Sequence, residues 1–339
     1  MSRSLMGAWI FFVLLICGMV GWGYFASPPK LDIAATPYFE AKLEAPSEAV
    51  SLDASENIVL EQSASVRDTP LDEGIFPVAV TERTAKGPLP RISDGGQAIW
   101  QVHQSKSVEI DAEKPQLAIV FNGLGFDQET LKSVIDDFPA GVTLAVQPFA
   151  PYLQNIIKDA RQAGHEVLLI APMEPNNFPT DDPGPYTLLT GLDGEDNLDR
   201  LHWVLSQAGG YVGITNGMGE RFLSSPEDAK VVFQECSKRG IGLVEVDRSF
   251  RSKGKELAGD TKAPYCRISQ EVSLQDDDTL DEQLGVVLSY VKLKMQAGVS
   301  IDVTPGVLNK IAEWMKKAQE EGVQFVPIST LISPDGQGS

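Results

Sequence analysis

Two hydrophobic patterns alternate along the C-terminal two-thirds of the chain. Short runs rich in β-branched residues are separated by longer stretches whose apolar positions recur every three or four residues. The runs predict seven strands: Leu117–Phe121, Val142–Val146, Glu166–Ile170, Val212–Thr215, Gly242–Val246, Val299–Val303 and Gln324–Ile328. The helical periodicity predicts, among others, the helices Leu153–Ala163, Pro226–Arg239, Leu280–Gln296 and Gly306–Glu320.

Continuously apolar strands that alternate with helices are typical of a parallel sheet covered on both faces. About seven such units predict an α/β fold built as a deformed (β/α) barrel over residues 114–334, and a doubly wound open sheet is the alternative. In both architectures ligands bind at the C-terminal ends of the strands. Because neither fold identifies a function by itself, the residues that follow each strand are the informative ones.

The N-terminal segment has a different pattern. From Leu5 to Ala26 the chain carries no charge, and a helix of this length spans a hydrocarbon core of roughly 30 Å. Arg3 precedes the segment, and a positive charge on a short N-terminal side keeps that side cytoplasmic. A cleaved signal peptide is the alternative, but the apolar stretch is long for one. The sequence therefore predicts residues 1–26 as an anchor in a bacterial inner membrane and the remainder as periplasmic.

Residues 27–113 are rich in Pro, Ser, Ala and acidic residues and lack sustained apolar periodicity. Such a segment buries too little apolar surface to offset the entropy lost on ordering, so we expect a largely disordered linker that lifts the domain off the membrane. Two short apolar pieces, Ile75–Val78 and Ile99–Trp100, interrupt this composition and would dock on a partner.

Charge and composition argue against nucleic-acid binding and against a structural zinc site. The net charge of −19 and the pI of about 4.5 disfavour nucleic-acid binding, which requires a basic face. The chain has three histidines and three cysteines without a CxxC pair, so a structural zinc site is not indicated. Cys236 and Cys266 lie in the exported part, where a disulfide between them is one alternative.

The residues that follow the predicted strands are polar, mildly acidic and contain no histidine. They are Asn122, Gln147, Pro172, Met173, Glu174, Asn216, Asp247 and Asp302. Glu174 and Asp247 would either accept hydrogen bonds from sugar hydroxyls or pair with Arg221 and Arg248. Asn216 precedes a glycine, which favours a turn-capping role for its side chain.

Several segments, taken in order, resemble the divergent polysaccharide deacetylase family over about residues 115–331. They are LAIVFNGLG from Leu117, GVTLAVQPFAP from Gly141, GHEVLLIAPMEP from Gly164, PGPYTLL from Pro183, VGITNGMGERF from Val212, VEVDRSF from Val244 and VPIST from Val326. The resemblance implies a deformed barrel that acts on cell-envelope or other carbohydrate. It also implies metal-assisted removal of an N-acetyl group, with aspartate and histidine ligands and a carboxylate base.

The chain departs from the family at the positions that the resemblance assigns to the metal. It has Asn122–Gly123 in place of two aspartates, Ile170–Ala171 in place of a histidine, Gly217 in place of the histidine of Asn-His-Met-Gly, and Asp302–Val303 in place of Gly-His. The scaffold positions Pro172, Met173, Glu174, Gly219, Arg221, Phe222 and Asp247 are retained. Because amides and glycine replace anionic and imidazole ligands poorly, the resemblance with these departures implies a pseudoenzyme without zinc or another divalent cofactor.

The leading hypothesis is therefore a membrane-tethered, catalytically inactive domain that binds a glycan such as peptidoglycan, or an envelope protein. The expected cleft is lined by Asn122, Gln147, Met173, Glu174, Asn216, Arg221 and Asp247. One alternative is an active carbohydrate hydrolase that uses a rearranged site of Glu174, Asp247 and Asp302. Another is a structural scaffold of the envelope whose cleft is filled by side chains.

Overall fold

The computed structural model describes residues 74–246, 248–268, 270–272 and 277–336. The predicted membrane anchor (residues 1–26), the predicted linker up to residue 73, and Asp247 lie outside the described residues. Among the helices that are described, none is both long enough and apolar enough to span a bilayer.

The described residues form eleven strands and eight α-helices. The strands are β1 (Thr81–Thr84), β2 (Gly87–Pro90), β3 (Gln116–Leu124), β4 (Val142–Val146), β5 (Glu166–Met173), β6 (Gly213–Met218), β7 (Gly242–Val246), β8 (Tyr265–Ile268), β9 (Gln270–Val272), β10 (Gln296–Asp302) and β11 (Gln324–Phe325). The helices are α1 (Ile99–Val102), α2 (Gln128–Asp137), α3 (Leu153–Gln162), α4 (Gly194–Ser206), α5 (Pro226–Arg239), α6 (Gly254–Thr261), α7 (Asp277–Lys294) and α8 (Leu308–Glu320).

The main sheet is a nearly closed parallel barrel. Its strands follow the order β8-β7-β6-β5-β4-β3-β10-β9, and β11 pairs with the start of β3. β8 pairs with β7 and β9 pairs with β10, so the two edges of the sheet are formed by consecutive segments of chain separated only by residue 269. This continuity brings the edges together and confirms the expected barrel rather than the open sheet.

The barrel path has eight strands rather than about seven. It contains six of the predicted strands together with β8 and β9, which were not predicted, while the seventh predicted strand, β11, pairs with β3 off this path. In both β8 and β9 polar residues, such as Arg267 and Glu271, interrupt the apolar positions, so the run is not continuously apolar. At the other end of the chain β11 stops at Phe325, short of the expected Ile328. Pro327 follows it, and a 3₁₀ turn then begins at Ile328.

Side chains on the strands alternate between two cores. One face packs against the helices, and the other fills the barrel. Ala118 and Val120 on β3, with Leu168 and Ile170 on β5, belong to the inner core. The other buried members of the inner core are Ala145, Val212, Val244, Cys266 and Ile268, with Val326, Ile328 and Ile332 near the C-terminus and Ala98 and Trp100 from the segment before β3. The barrel interior is therefore packed. Buried polar residues lie at both ends of this apolar layer: Glu166, bonded to Ser329, near the N-terminal ends of the strands, and Thr215 and Ser300 towards their C-terminal ends.

Residues 74–113 are ordered, so the expectation of a disordered linker is wrong for this part of the segment. Leu89 and Trp100 are buried in the two cores, and Phe76 packs directly over Gly209. The guanidinium of Arg239 donates hydrogen bonds of 2.7 Å to Glu82 and to a backbone carbonyl of the β1–β2 hairpin. Burying each of these apolar side chains stabilises the fold by about 1.5–3 kcal/mol. The composition averaged over residues 27–113 does not reveal these few buried positions.

Cys236 and Cys266 are both buried and carry free thiols, so no disulfide joins them. Burial raises the pKa of Cys266 to about 12 and raises the pKa of Cys236 as well. Neither thiol is therefore an ionised nucleophile at neutral pH.

Candidate functional site

Asn122 and Asp302 lie side by side at the mouth of the barrel. They form the last register pair between β3 and β10, and the amide Nδ2 of Asn122 donates to Oδ1 of Asp302 at 3.0 Å. Each follows an interior position by two residues: Val120 belongs to the inner core, and Ser300 shares a strand face with Gly298, which abuts Ile268. The fold thus brings together two residues that the sequence placed on different strand ends.

Several oxygens at this mouth lack a hydrogen-bond donor among the described residues. Oδ1 of Asn122 is buried and unpartnered, and a flipped amide would turn this oxygen towards the Asp302 carboxylate. One layer deeper, the buried hydroxyls of Ser300 and Thr215 are also without partners in the described part of the chain. Because an unsatisfied buried polar group costs about 1–3 kcal/mol, the mouth favours a molecule that brings hydroxyl or amide donors.

Glu174, at the end of β5, holds two loops together. Its carboxylate accepts hydrogen bonds from the backbone N–H and the hydroxyl of Thr190, at 2.5 and 2.7 Å. The other carboxylate oxygen lies 3.2 Å from Nε of Arg221. With Glu174 5% exposed and its oxygens engaged, the geometry favours the ion-pair interpretation over a sugar-accepting role.

Asn216 joins the ends of β6 and β7. Its Nδ2 donates to the carbonyls of Met218, at 2.7 Å, and Val246, at 3.1 Å, while its Oδ1 accepts from the N–H of Val246 at 2.8 Å. The bond to Met218 is the local turn contact that the sequence favoured. The bonds to Val246 extend the β6–β7 junction beyond the last paired residues, Thr215 and Val244. Asn216 is therefore a positioning residue, and its amide is fully occupied.

The other expected cleft residues have different surroundings. Met173 is buried beneath Gly219, where a Cβ would lie 2.9 Å from the Cβ of Met173, so placing it on the cleft lining was wrong. Gln147 is partly buried at the end of β4, and its N–H donates to the carbonyl of Leu124 at 2.9 Å. Arg221 is half-exposed beside Glu174. Asp247 lies outside the described residues.

The donors at the mouth do not fit a catalytic zinc ion. No cluster of three or more His, Cys, Asp or Glu suited to a metal occurs in the described part of the chain. Gly217 faces Ile170 so closely that a Cβ would lie 2.7 Å from its Cγ2. Val303, which follows Asp302, is apolar and packs against the outer core, on the helix side of the barrel. The described carboxylates at the mouth are those of Asp302, which accepts from Asn122, and Glu220, which follows β6. Hydrolytic zinc usually takes three protein ligands, which these residues do not supply.

The three histidines are used elsewhere in the structure. His165 is buried next to β5, with its ring nitrogens near the carbonyls of Val142 and Ile135. His202 on α4 pairs with Glu235 at 2.7 Å. Burial, with a smaller contribution from a nearby arginine, lowers the pKa of His103 to about 4, so this ring is neutral at pH 7.

Three polar residues at or below the mouth were not singled out from the sequence. Glu220 directly follows the glycine after β6, and its buried Oε2 has no hydrogen-bond partner in the described residues. Ser300 and Thr215 lie inside strands, and only the alternation of inward and outward positions could have identified them. Together with Asn122 and Asp302 they make the mouth rich in hydrogen-bond acceptors.

Comparisons with known proteins agree with this barrel. The family model described as divergent polysaccharide deacetylase matches residues 119–332, more than half of the chain. An uncharacterized protein of Agrobacterium tumefaciens C58 has a similar crystal structure, with a TM-score of 0.67 and 29% identity, covering 72% of this chain and 99% of that one. A mutant of a CE4 family pseudoenzyme matches at a TM-score of 0.37 and 13% identity, which is too distant to support an argument.

Two curated relatives are also similar over part of their length. An uncharacterized protein of Haemophilus influenzae is 23% identical over 144 residues, which is 42% of this chain and 49% of that protein. The uncharacterized protein YibQ of Escherichia coli is 25% identical over 131 residues, which is 38% of this chain and 40% of YibQ. The chain therefore spans less than half the length of the curated relatives that it matches.

Proposed function

Because the chain belongs to the divergent polysaccharide deacetylase family, we propose that it is a catalytically inactive member that binds a cell-envelope glycan, such as peptidoglycan, at the mouth of its barrel. The observation that carries the proposal is the Asn122–Asp302 pair. It stands on strand ends where the resemblance implies metal ligands, and it presents acceptor oxygens instead. Sugar hydroxyls and N-acetyl N–H groups are donors that match these acceptors.

The absence of deacetylation is part of the same proposal. Hydrolysis of an N-acetyl group needs an electrophile to polarise the carbonyl and a base to activate water. Glu174 is committed to Thr190 and Arg221. Asp302 accepts from Asn122 through one oxygen, and the described residues around it supply no three-ligand metal cluster to polarise the carbonyl. We therefore expect neither a resident zinc ion nor acetate release.

The proposal also includes the location of the domain. We expect residues 5–26 to anchor the chain in the inner membrane with the barrel in the periplasm, because this stretch is uncharged and follows Arg3. A reporter enzyme that is active only in the periplasm, fused after Ser339, should then be active. Inactivity of the periplasmic reporter, with activity of a cytoplasmic one, would contradict this orientation.

The binding claim can be tested by calorimetric titration of soluble peptidoglycan fragments into the full chain in neutral detergent. Removing Asn122 or Asp302 by substitution with Ala should weaken binding about tenfold, since a lost hydrogen bond to a charged or buried group is worth about 1.5–3 kcal/mol. Gln319→Ala, an exposed amide on α8, is the matched control and should leave the affinity unchanged. Binding that is absent, or indifferent to both mouth variants, would contradict the proposal.

A further inference from the structure

The loop between β7 and α6, together with the first two residues of α6, differs in charge from the rest of this acidic chain. We call residues 248–255 the basic loop. Its sequence is RSFRSKGK, with four cationic residues and no acidic one, in a chain of net charge −19. The loop follows the C-terminal end of β7, so it lies at the same end of the barrel as the Asn122–Asp302 pair.

The basic loop is held at both of its ends. Arg248 forms an ion pair of 2.5 Å with Glu271 on β9. The N–H of Lys253 donates to the carbonyl of Leu223 at 2.8 Å, which ties the loop to the segment after β6. Within the loop, the N–H of Ser252 donates to the carbonyl of Ser249 at 3.0 Å. Fixing both ends in this way positions the residues between them.

The tip of the loop presents an aromatic ring and a cation. Phe250 is 91% exposed, and the guanidinium carbon of Arg251 lies 5.5 Å from its ring centroid. Lys253 pairs with Glu256, but no carboxylate in the described residues pairs with Arg251 or Lys255. The tip therefore combines an apolar ring surface with positive charge that is available to an anion.

We propose that the basic loop recognises an acidic group on the glycan, so that the ligand of this domain is a saccharide that carries a carboxylate. Phe250 stacks on the apolar C–H face of a sugar ring, and Arg251, assisted by Lys255, binds the carboxylate. The mouth supplies acceptors for hydroxyl and amide donors, and the loop supplies the donors that an anion needs. This inference rests on the proposed function and narrows its ligand class.

The test compares two disaccharides that differ mainly in one carboxylate: N-acetylglucosaminyl-N-acetylmuramic acid and N,N′-diacetylchitobiose. Each is titrated into the full chain at low salt. We expect the acidic disaccharide to bind about tenfold more tightly, the size of a charge-assisted hydrogen bond, and added salt to reduce this preference. Arg251→Ala should abolish the preference, whereas Phe250→Ala should weaken both ligands to a similar extent.

Two exposed residues on other elements serve as controls. Lys316→Ala on α8 removes a cation, and Leu293→Ala on α7 removes an apolar side chain that is 79% exposed; neither should alter the affinities. Equal binding of the two disaccharides would overturn the inference and leave the proposed function standing. Absence of binding by both disaccharides and by larger peptidoglycan fragments would overturn the proposed function itself.

Discussion

Replacing Asn216 by Ala should remove the side chain that joins the ends of β6 and β7. The substitution leaves three backbone groups without their partner: the N–H and the carbonyl of Val246 and the carbonyl of Met218. Asn216 is 2% exposed, so bulk water does not replace these bonds without local opening of the structure. Each unsatisfied buried group costs about 1–3 kcal/mol, which gives an expected loss of about 3 kcal/mol or more.

Such a loss is a large part of a domain stability of about 5–15 kcal/mol. Urea unfolding of the full chain, followed by far-ultraviolet circular dichroism, should show the midpoint falling by about 1 M with little change in slope. Asn309→Ala, an exposed amide on α8, is the matched control and should change the free energy of unfolding by less than about 0.5 kcal/mol. A loss below about 1 kcal/mol for Asn216→Ala, at unchanged slope, would refute the role assigned to the three bonds.

Three further predictions concern the packing around the barrel. Trp100→Ala should lower the free energy of unfolding by about 3–5 kcal/mol, because the ring, which belongs to residues 74–113, fills part of the inner core. Denaturant titration measures this free energy. A loss near zero would contradict the docking of this segment on the barrel. The hydrogen bond from His202, the largest favourable cause, lowers the pKa of Glu235 from 4.5 to about 2. The ionised Glu235 carboxylate therefore stabilises the fold above pH 4.5, and this stabilisation is lost as the pH falls towards 2. Glu235→Gln should flatten the pH dependence of the melting temperature in that range. An unchanged profile would argue against the Glu235–His202 pair. Gly217→Ala should lower the free energy of unfolding by about 1–3 kcal/mol, because its Cβ would meet Ile170. Combining it with Ile170→Ala should lower this free energy by less than the sum of the two single effects. Strict additivity in this double-mutant cycle would contradict the close approach of Gly217 to Ile170.

The sequence predicted the parts of the fold that rest on local pattern. Val142–Val146 and Gly242–Val246 were predicted with the bounds that the structure has, because both strands are buried along their whole length. β8 and β9 were missed because polar residues interrupt their runs where they close the barrel. The order of residues 74–113 depends on partners far away in sequence, such as Arg239 with Glu82, which composition cannot show.

The candidate site was predictable to a similar extent. The rule that ligands bind at the ends of parallel strands identified Asn122 and Asp302, and the fold placed them in one register pair. The sequence left two roles for the Glu174 carboxylate, binding a sugar or pairing within the protein. It could not decide between them because the partner Thr190 lies in the irregular β5–α4 connection. The bonds from Asn216 to Val246 depend on how far β6 extends past its last paired residue, which no sequence pattern specifies.

We propose that this member of the family retains the barrel without its metal chemistry. Two quantities measured on one sample of the full chain incubated with excess zinc can test this: the metal that stays bound after desalting, and the acetate released from an N-acetylated glycan. We expect far less than one zinc per chain and no acetate above the protein-free control. Stoichiometric zinc, together with acetate release that disappears in Asp302→Ala, would contradict it.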